Sequence, residues 1–396
     1  MNLPLSDGVR EMLAVFGRAG IEAWLVGGCV RDGLLGRTPN DIDIATAATP
    51  DQVQALFAKT APTGVQYGTV TVFCGGAQAE VTTFRSESGT RDTRHPARVV
   101  FGASLRDDLA RRDFTINAMA WYPERGLYDP FGGEADLKAG LVRAVGEPCL
   151  RFAEDALRVL RAYRFAAQLG FTVEPRTRAA AVEAMPLAAA LSGERVREEW
   201  EKLLCSPCPV LAFLPELAGV WCAVGLPVKP MRPPAGLADV PARAAQRWAA
   251  FVFLSRVDTG RLFARLHFAN RLADEVRALV GVLSGAPLAD APTLKAVLER
   301  VPPGVLDDGL LLRGLLLGER TEAARVLLAG ILERGEPYRV EHLTLRGGEL
   351  AELGFSGTAC GQAQRALLHY VRFHPEQNTQ DRLRAYLLRH PPGQKP

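Results

Sequence analysis

Leu25-Val-Gly-Gly-Cys-Val-Arg-Asp32 and, soon after it, Asn40-Asp-Ile-Asp-Ile44 carry more information than any other part of the chain. An apolar stretch runs into two glycines, and an Asp-x-Asp pair follows on a second β-branched stretch. Alternate side chains of a strand share a face, which predicts that Asp41 and Asp43 point the same way. Two carboxylates so placed repel each other and attract a divalent cation. Gly27 and Gly28 remove the side chains that would keep a phosphate away from the backbone. Together these features predict metal-dependent attack on a nucleoside triphosphate.

The rest of the composition narrows the setting. With 396 residues, the chain predicts about two to four domains. Its net charge of +3 means that any nucleic-acid surface is local rather than global. No apolar run reaches the roughly 18 residues of a membrane span. The first residues lack the charged start and apolar core of a signal peptide. Seven scattered cysteines fit a reducing cytoplasm better than a disulfide framework. Cys205 and Cys208 form a Cys-x-x-Cys with no second pair to complete a zinc site.

Residues 1–145 alternate strand and helix patterns. An amphipathic helix is expected over 6–19, and strands over 23–28 and 42–46. Thr49-Pro-Asp-Gln52 reads as a capped helix start. Thr69-Val-Thr-Val-Phe73 and Glu80-Val-Thr-Thr-Phe84 flank Gly75-Gly76 and predict a hairpin. From about residue 148 the pattern is helical almost throughout, interrupted by a Pro- and Gly-rich stretch over 223–242. The expected fold is α+β: a catalytic head (1–145), a helical neck (146–207), a helical body (208–335) and a helical tail (336–396).

Further residues suit nucleotide chemistry. Glu80, at the start of a strand, is a candidate third carboxylate; an ordinary exposed strand glutamate is the alternative. In Arg111-Arg-Asp-Phe-Thr-Ile-Asn117, arginine suits phosphate oxygens. Asp113 and Asn117 share a face if the stretch begins a helix, where they suit a ribose hydroxyl. A capped helix start with a solvated basic tip reads the same. Residues 151–164 predict one continuous helix ending at Gly170, with Arg151, Glu154, Asp155, Arg158 and Arg161 in a polar stripe. Cytosine and adenine both present an exocyclic amine beside an unprotonated ring nitrogen. Asp155 accepting from the amine and Arg158 donating to the nitrogen would select C and A together. An ordinary helical ion pair explains the same two residues.

In this order the segments resemble the class II tRNA nucleotidyltransferases and bacterial poly(A) polymerases. The likeness rests on Val26–Asp32 with Asp41-Ile-Asp43, Glu80-Val-Thr-Thr-Phe-Arg85, Arg111–Met119, Asp129-Pro-Phe-Gly-Gly133 with Asp136, and Glu154-Asp-Ala-Leu-Arg158. Residues 194–203 resemble the helix that closes the neck. The resemblance implies a polymerase-β-like nucleotidyltransferase head, Mg²⁺, CTP and ATP as substrates, and a tRNA 3′ end as primer. It implies metal-bearing roles for Asp41 and Asp43, and places Gly27, Gly28 and Arg31 against the triphosphate. Arg112, Asp113 and Asn117 would meet sugar and phosphates, Asp155 and Arg158 the base, and Arg161 the phosphates. The Glu-Val-Thr-Thr-Phe-Arg strand favours a tRNA nucleotidyltransferase over a poly(A) polymerase. The segment over 86–110, with Glu87, Arg91, Asp92, Arg94 and His95, corresponds to the family's flexible loop for switching to ATP. It has Thr90 near the place of an aromatic residue, so CCA-, CC- and A-adding enzymes all stay open. Arg365, Arg372, Arg382, Arg384 and Arg389 give the tail a local positive character suited to tRNA phosphates. No protein partner and no membrane are expected.

Overall fold

The structure is a computed structural model describing residues 5–39, 41–90, 96–229 and 231–391; the side chains of residues 87–99 are not described. Asn40, Arg91, Asp92, Arg94 and His95 thus lie outside the described residues. The chain forms two compact units, residues 1–230 with 265–267, and residues 231–264 with 268–396. Head and neck belong to one unit, and the division falls inside the Pro- and Gly-rich stretch.

The first unit opens with α1 (Asp7–Arg18), capped by Ser6, whose side chain accepts from the Val9 amide; Met12, Leu13 and Phe16 are buried on its inner side. Next come β1 (Ala23–Val26), α2 (Gly28–Leu34), β2 (Asp43–Thr46), α3 (Pro50–Leu56), β3 (Thr60–Gly64), β4 (Thr69–Cys74) and β5 (Ala77–Thr83). Thr49 and Gln52 close a reciprocal capping box at the start of α3, with Pro50 in its first turn. β4 and β5 pair antiparallel around Gly75-Gly76, the hairpin that the sequence predicts. β6 (Arg85–Thr90) and β7 (Pro96–Phe101) form a separate two-stranded sheet, so the expected loop contains a ribbon. α4 (Leu105–Ala110), β8 (Ala120–Tyr122), β9 (Gly126–Tyr128) and α5 (Gly133–Ala139) complete the head. The main sheet has seven strands in the order β3-β4-β5-β2-β1-β8-β9. β2 runs parallel to β5, in a register that sets Asp43 beside Glu80. Trp24, Val26, Ala45, Phe84, Leu109 and Ala118 form a buried cluster on one side of it.

Two expectations change here. β1 ends at Val26, because Gly27 takes φ +76°, a left-handed value open to glycine, and Gly28 already begins α2. Asp41 precedes β2 instead of lying in it, so strand periodicity does not align it with Asp43. The carboxylate brought alongside Asp43 by the sheet is that of Glu80.

The neck follows: α6 (Pro148–Glu154), α7 (Leu157–Leu169), α8 (Pro175–Ala184) and α9 (Gly193–Leu204). The single helix expected over 151–164 is two helices. Asp155 between them is extended (φ −148°, ψ 105°), which breaks the hydrogen-bond ladder. Its side chain takes over, Oδ1 accepting from the Leu157 amide at 3.0 Å. Trp200 of α9 packs edge-on against Trp221, ring centroids 4.5 Å apart. The second unit is helical, with buried leucines of residues 294–310 and 328 packed in one cluster and Leu350, Leu367, Leu368, Leu383 and Leu387 in another.

α5 anchors the turn between α4 and β8. Asp129 accepts from the amides of Gly133 and Glu134, and Thr115 donates to Asp136 at 2.7 Å. A Cβ on Gly133 would lie 2.2 Å from the Thr115 carbonyl oxygen. Gly133→Ala is therefore expected to destabilise the fold by about 1–3 kcal/mol, seen as a lower urea midpoint with an unchanged slope.

Candidate active site

The turn beginning at Asp113 ends in a single 3₁₀ turn, Thr115–Asn117, instead of starting an α-helix. Asp113 and Asn117 do face each other, but they bond to each other: Asn117 Nδ2 donates to Asp113 Oδ1 at 3.1 Å. Oδ1 also accepts from the Phe114 amide. Oδ2 takes Arg161 of α7 through Nε at 2.7 Å and Nη2 at 2.6 Å. Four donors fill the acceptor capacity of a carboxylate, so Asp113 presents no free acceptor to a sugar in this arrangement. Arg31 of α2 donates to Asn117 Oδ1 at 2.6 Å and pairs with Asp32. One chain of hydrogen bonds thus joins α7, the 113–117 turn and α2. Burial alone would raise the Asp113 carboxyl. The Arg161 charge and the bonds from Asn117 and Arg161 reverse this and bring it down to about 2.

These groups surround a cavity of about 430 Å³. Its lining contains Gly27, Gly28, Arg31, Asp43, Arg112, Asp113, Asn117, Asp155, Arg158 and Arg161, which the sequence singles out. It also contains Arg111, whose segment the sequence offers for phosphate contacts, and Leu157, Phe165 and Arg195, to which sequence reasoning assigns no site role. Phe165 had a usable signal, since residues 158, 161 and 165 share one helix face by spacing. Arg195 had only its place in the neck segment. Arg31, Arg111, Arg112, Arg158, Arg161 and Arg195 outnumber Asp43, Asp113 and Asp155 in the lining, so the cavity suits a polyanion. Asp41 and Glu80 are exposed and lie outside the lining.

Asp43 marks the edge where the carboxylates gather. Burial holds its carboxyl above the usual range, Arg112 opposes this, and the charges of Glu80 and Asp41 add to it. Gly27 makes room for the contact: a Cβ there would lie 2.6 Å from Arg112 Nη1 and 3.5 Å from Asp43 Oδ2. Arg112 pairs weakly with Asp108 at 3.4 Å, and its Nε is buried with no hydrogen-bond partner. Cys29 beneath them donates to the Val26 carbonyl; burial pushes its thiol up to about 11, so it stays protonated and unreactive.

On the neck side, Asp155 Oδ2 accepts from Arg195 Nη2 of α9 at 2.9 Å. Arg158 donates to the carbonyls of Arg151 and Arg111 and to Glu154. Each Asp155 oxygen therefore has one protein partner and one lone pair left. The alternative reading, a helical ion pair between Asp155 and Arg158, is not what forms: Arg158 pairs with Glu154 at 2.6 Å and Asp155 with Arg195.

Among the described residues no three His, Cys, Asp or Glu side chains are grouped closely enough to cage a metal ion. Asp41, Asp43 and Glu80 instead offer an open acidic edge. That donor set suits a hard cation that takes one or two carboxylates and completes its shell with phosphates and water.

Comparison with known proteins agrees with this geometry. Residues 23–143 match the family described as the Poly A polymerase head domain. Residues 170–214 match that described as a probable RNA and SrmB-binding site of polymerase A. A CCA-adding enzyme of Geobacillus thermodenitrificans is 39% identical over 344 residues, 83% of this chain and 78% of that protein. A second, from Lactiplantibacillus plantarum, is 52% identical over 201 residues, about half of each chain. The crystal structure of the Bacillus stearothermophilus CCA-adding enzyme in complex with CTP superposes with a TM-score of 0.80 at 32% identity, covering 97% of this chain and 98% of that one. With its mixed-sheet head, helical remainder and arginine-lined cavity beside paired carboxylates, the chain belongs to the family of CCA-adding enzymes, the tRNA nucleotidyltransferases.

Proposed function

We propose that this chain adds the 3′-terminal CCA, or part of it, to tRNA from CTP and ATP without a nucleic-acid template, in the cytoplasm. The observation that carries the reading is the convergence of six arginines and Asp43 on one cavity, with Glu80 in register beside Asp43. The cationic lining receives the triphosphate, with Arg31, Arg112 and Arg161 among the residues that line it. Gly27 and Gly28 allow close backbone approach. Asp41 and Asp43 would hold Mg²⁺, with Glu80 as a third carboxylate. When bound, the metal lowers the pKa of the primer hydroxyl and neutralises charge on the leaving pyrophosphate. The protein's own share is to hold the α-phosphate in line with the tRNA 3′ hydroxyl. Asp113 and Asn117 support this indirectly, by holding Arg161 and Arg31.

Base choice falls to Asp155 and Arg158. A free lone pair of Asp155 accepts from the exocyclic amine of C or A, and Arg158 donates to the adjacent ring nitrogen. Uracil and guanine would place a carbonyl against the carboxylate, a repulsive contact in a partly dry site. The tail arginines would carry tRNA phosphates.

Purified protein with Mg²⁺ is expected to extend a tRNA ending at the discriminator base to a full CCA end, read by single-nucleotide gel analysis. Asp41→Ala and Asp43→Ala should abolish addition while keeping the circular-dichroism spectrum. Arrest of the wild type after CC, or activity only on a CC-ended tRNA, would assign it to one half of the job. Asp155→Ala and Arg158→Ala should each lower discrimination of CTP over UTP by about tenfold or more, roughly 1.4 kcal/mol, with a smaller effect on triphosphate affinity. Unchanged choice among the four nucleotides would defeat the base-reading role.

The Asp113 clasp has its own pH signature. A native pKa near 2, below the unfolded value of about 3.9, stabilises the fold fully above pH ~4. The contribution is lost as pH falls from there towards 2. The stability gap between wild type and Asp113→Asn, read by urea unfolding, should shrink by on the order of 2 kcal/mol over that window.

A further inference from the structure

Phe165 is 6% exposed and lines the cavity, yet no hydrogen-bonding role falls to it. The guanidinium carbon of Arg31 lies 5.2 Å from its ring centroid and that of Arg161 5.4 Å. Arg164 stands closer still, at 3.8 Å; it is also paired with Glu199 and does not line the cavity. On the ring's other contact, Phe114 meets it edge-on at 5.8 Å. Arg31 and Arg161 are the two ends of the hydrogen-bond chain through Asn117 and Asp113. Each is thus in reach of both an acidic partner and the ring.

Like charges converging on one cavity repel before any ligand arrives. An aromatic face lowers that cost, because its quadrupole attracts cations without neutralising them or occupying their N–H groups. A carboxylate at the same place would compete with phosphate for those donors. A leucine would fill the space with no electrostatic attraction. We propose that Phe165 is a positioning residue whose ring gathers the Arg31 and Arg161 guanidiniums to receive the triphosphate of the incoming nucleotide. The inference rests on the nucleotide-binding reading of the cavity and adds a residue outside its hydrogen-bond network.

The test compares Phe165→Leu, which keeps apolar volume, with Phe165→Tyr, which keeps the aromatic face. Binding of CTP and of inorganic tripolyphosphate to the full chain would be measured by calorimetry, beside thermal melting and the KM and kcat for CTP. Phe165→Leu is expected to weaken both ligands by roughly tenfold and to raise KM far more than it lowers kcat. Phe165→Tyr should stay within about twofold of wild type. Undiminished tripolyphosphate binding by Phe165→Leu overturns the proposal, whether or not CTP is affected. So does equal loss in both variants, which makes the position a matter of packing. Wild-type protein that binds tripolyphosphate but adds nothing to tRNA would refute the proposed activity, and the Leu–Tyr contrast would still judge the ring.

Discussion

The pairing of Asp113 with Arg161 is the constraint from which the rest of the site is built. It joins a turn of the head to a helix of the neck across 48 residues of sequence. Each partner is costly to bury alone, and removing one would leave the other as an uncompensated charge. Asn117 passes the same order on to Arg31. The 113–117 turn is in turn fixed from below through Thr115 and Asp136. Motif residues as far along as Asp129 and Asp136 therefore support the cavity without lining it. Head and neck lie together in one compact unit.

Charge is distributed with a purpose that follows from its partners. Arg31, Arg158 and Arg161 are each held by an acid in the protein, so their geometry is set before a ligand arrives. Arg112 is the exception, with a weak ion pair and a buried Nε that lacks a partner. It stands against Gly27 and Asp43, between the cationic cavity and the acidic edge. A polyphosphate with its cation would suit both sides at once, its oxygens matching the arginines and its cation the carboxylates.

Local features were legible in the sequence, and non-local ones were not. The opening helix, the Thr49–Gln52 box and the β4–β5 hairpin depend on neighbours within a few residues, and the structure has all three. The cavity residues were found because phosphate chemistry restricts residue type strongly. The saturation of Asp113 was hidden, because its decisive partner lies in another element. Asp41 was placed by strand periodicity, but the strand starts two residues later. The Asp43–Glu80 register needs the parallel crossover between β2 and β5, which no local spacing encodes. Phe165 was passed over because an apolar residue on a helix looks like core until the guanidiniums around it are known.

The break at Asp155 shows the same limit and suggests what it is for. Ala-Leu-Arg after Asp155 favours helix, and nothing local demands an interruption. The break comes with partners from other elements: Arg195 donates to Oδ2, and Arg158 donates to the carbonyl of Arg111 as well as to that of Arg151. The extended residue sacrifices ladder bonds, but its Oδ1 recovers one by capping Leu157. A carboxylate on an unbroken solvent-facing helix would be free to change rotamer, and each nucleotide would have to order it anew. Held at Leu157 and at Arg195, the Asp155 carboxylate has one orientation, and its remaining lone pairs point in fixed directions. Under the proposed base-reading role, an acceptor of that kind is what the site would need, since a mobile one would swing away from the wrong base instead of rejecting it.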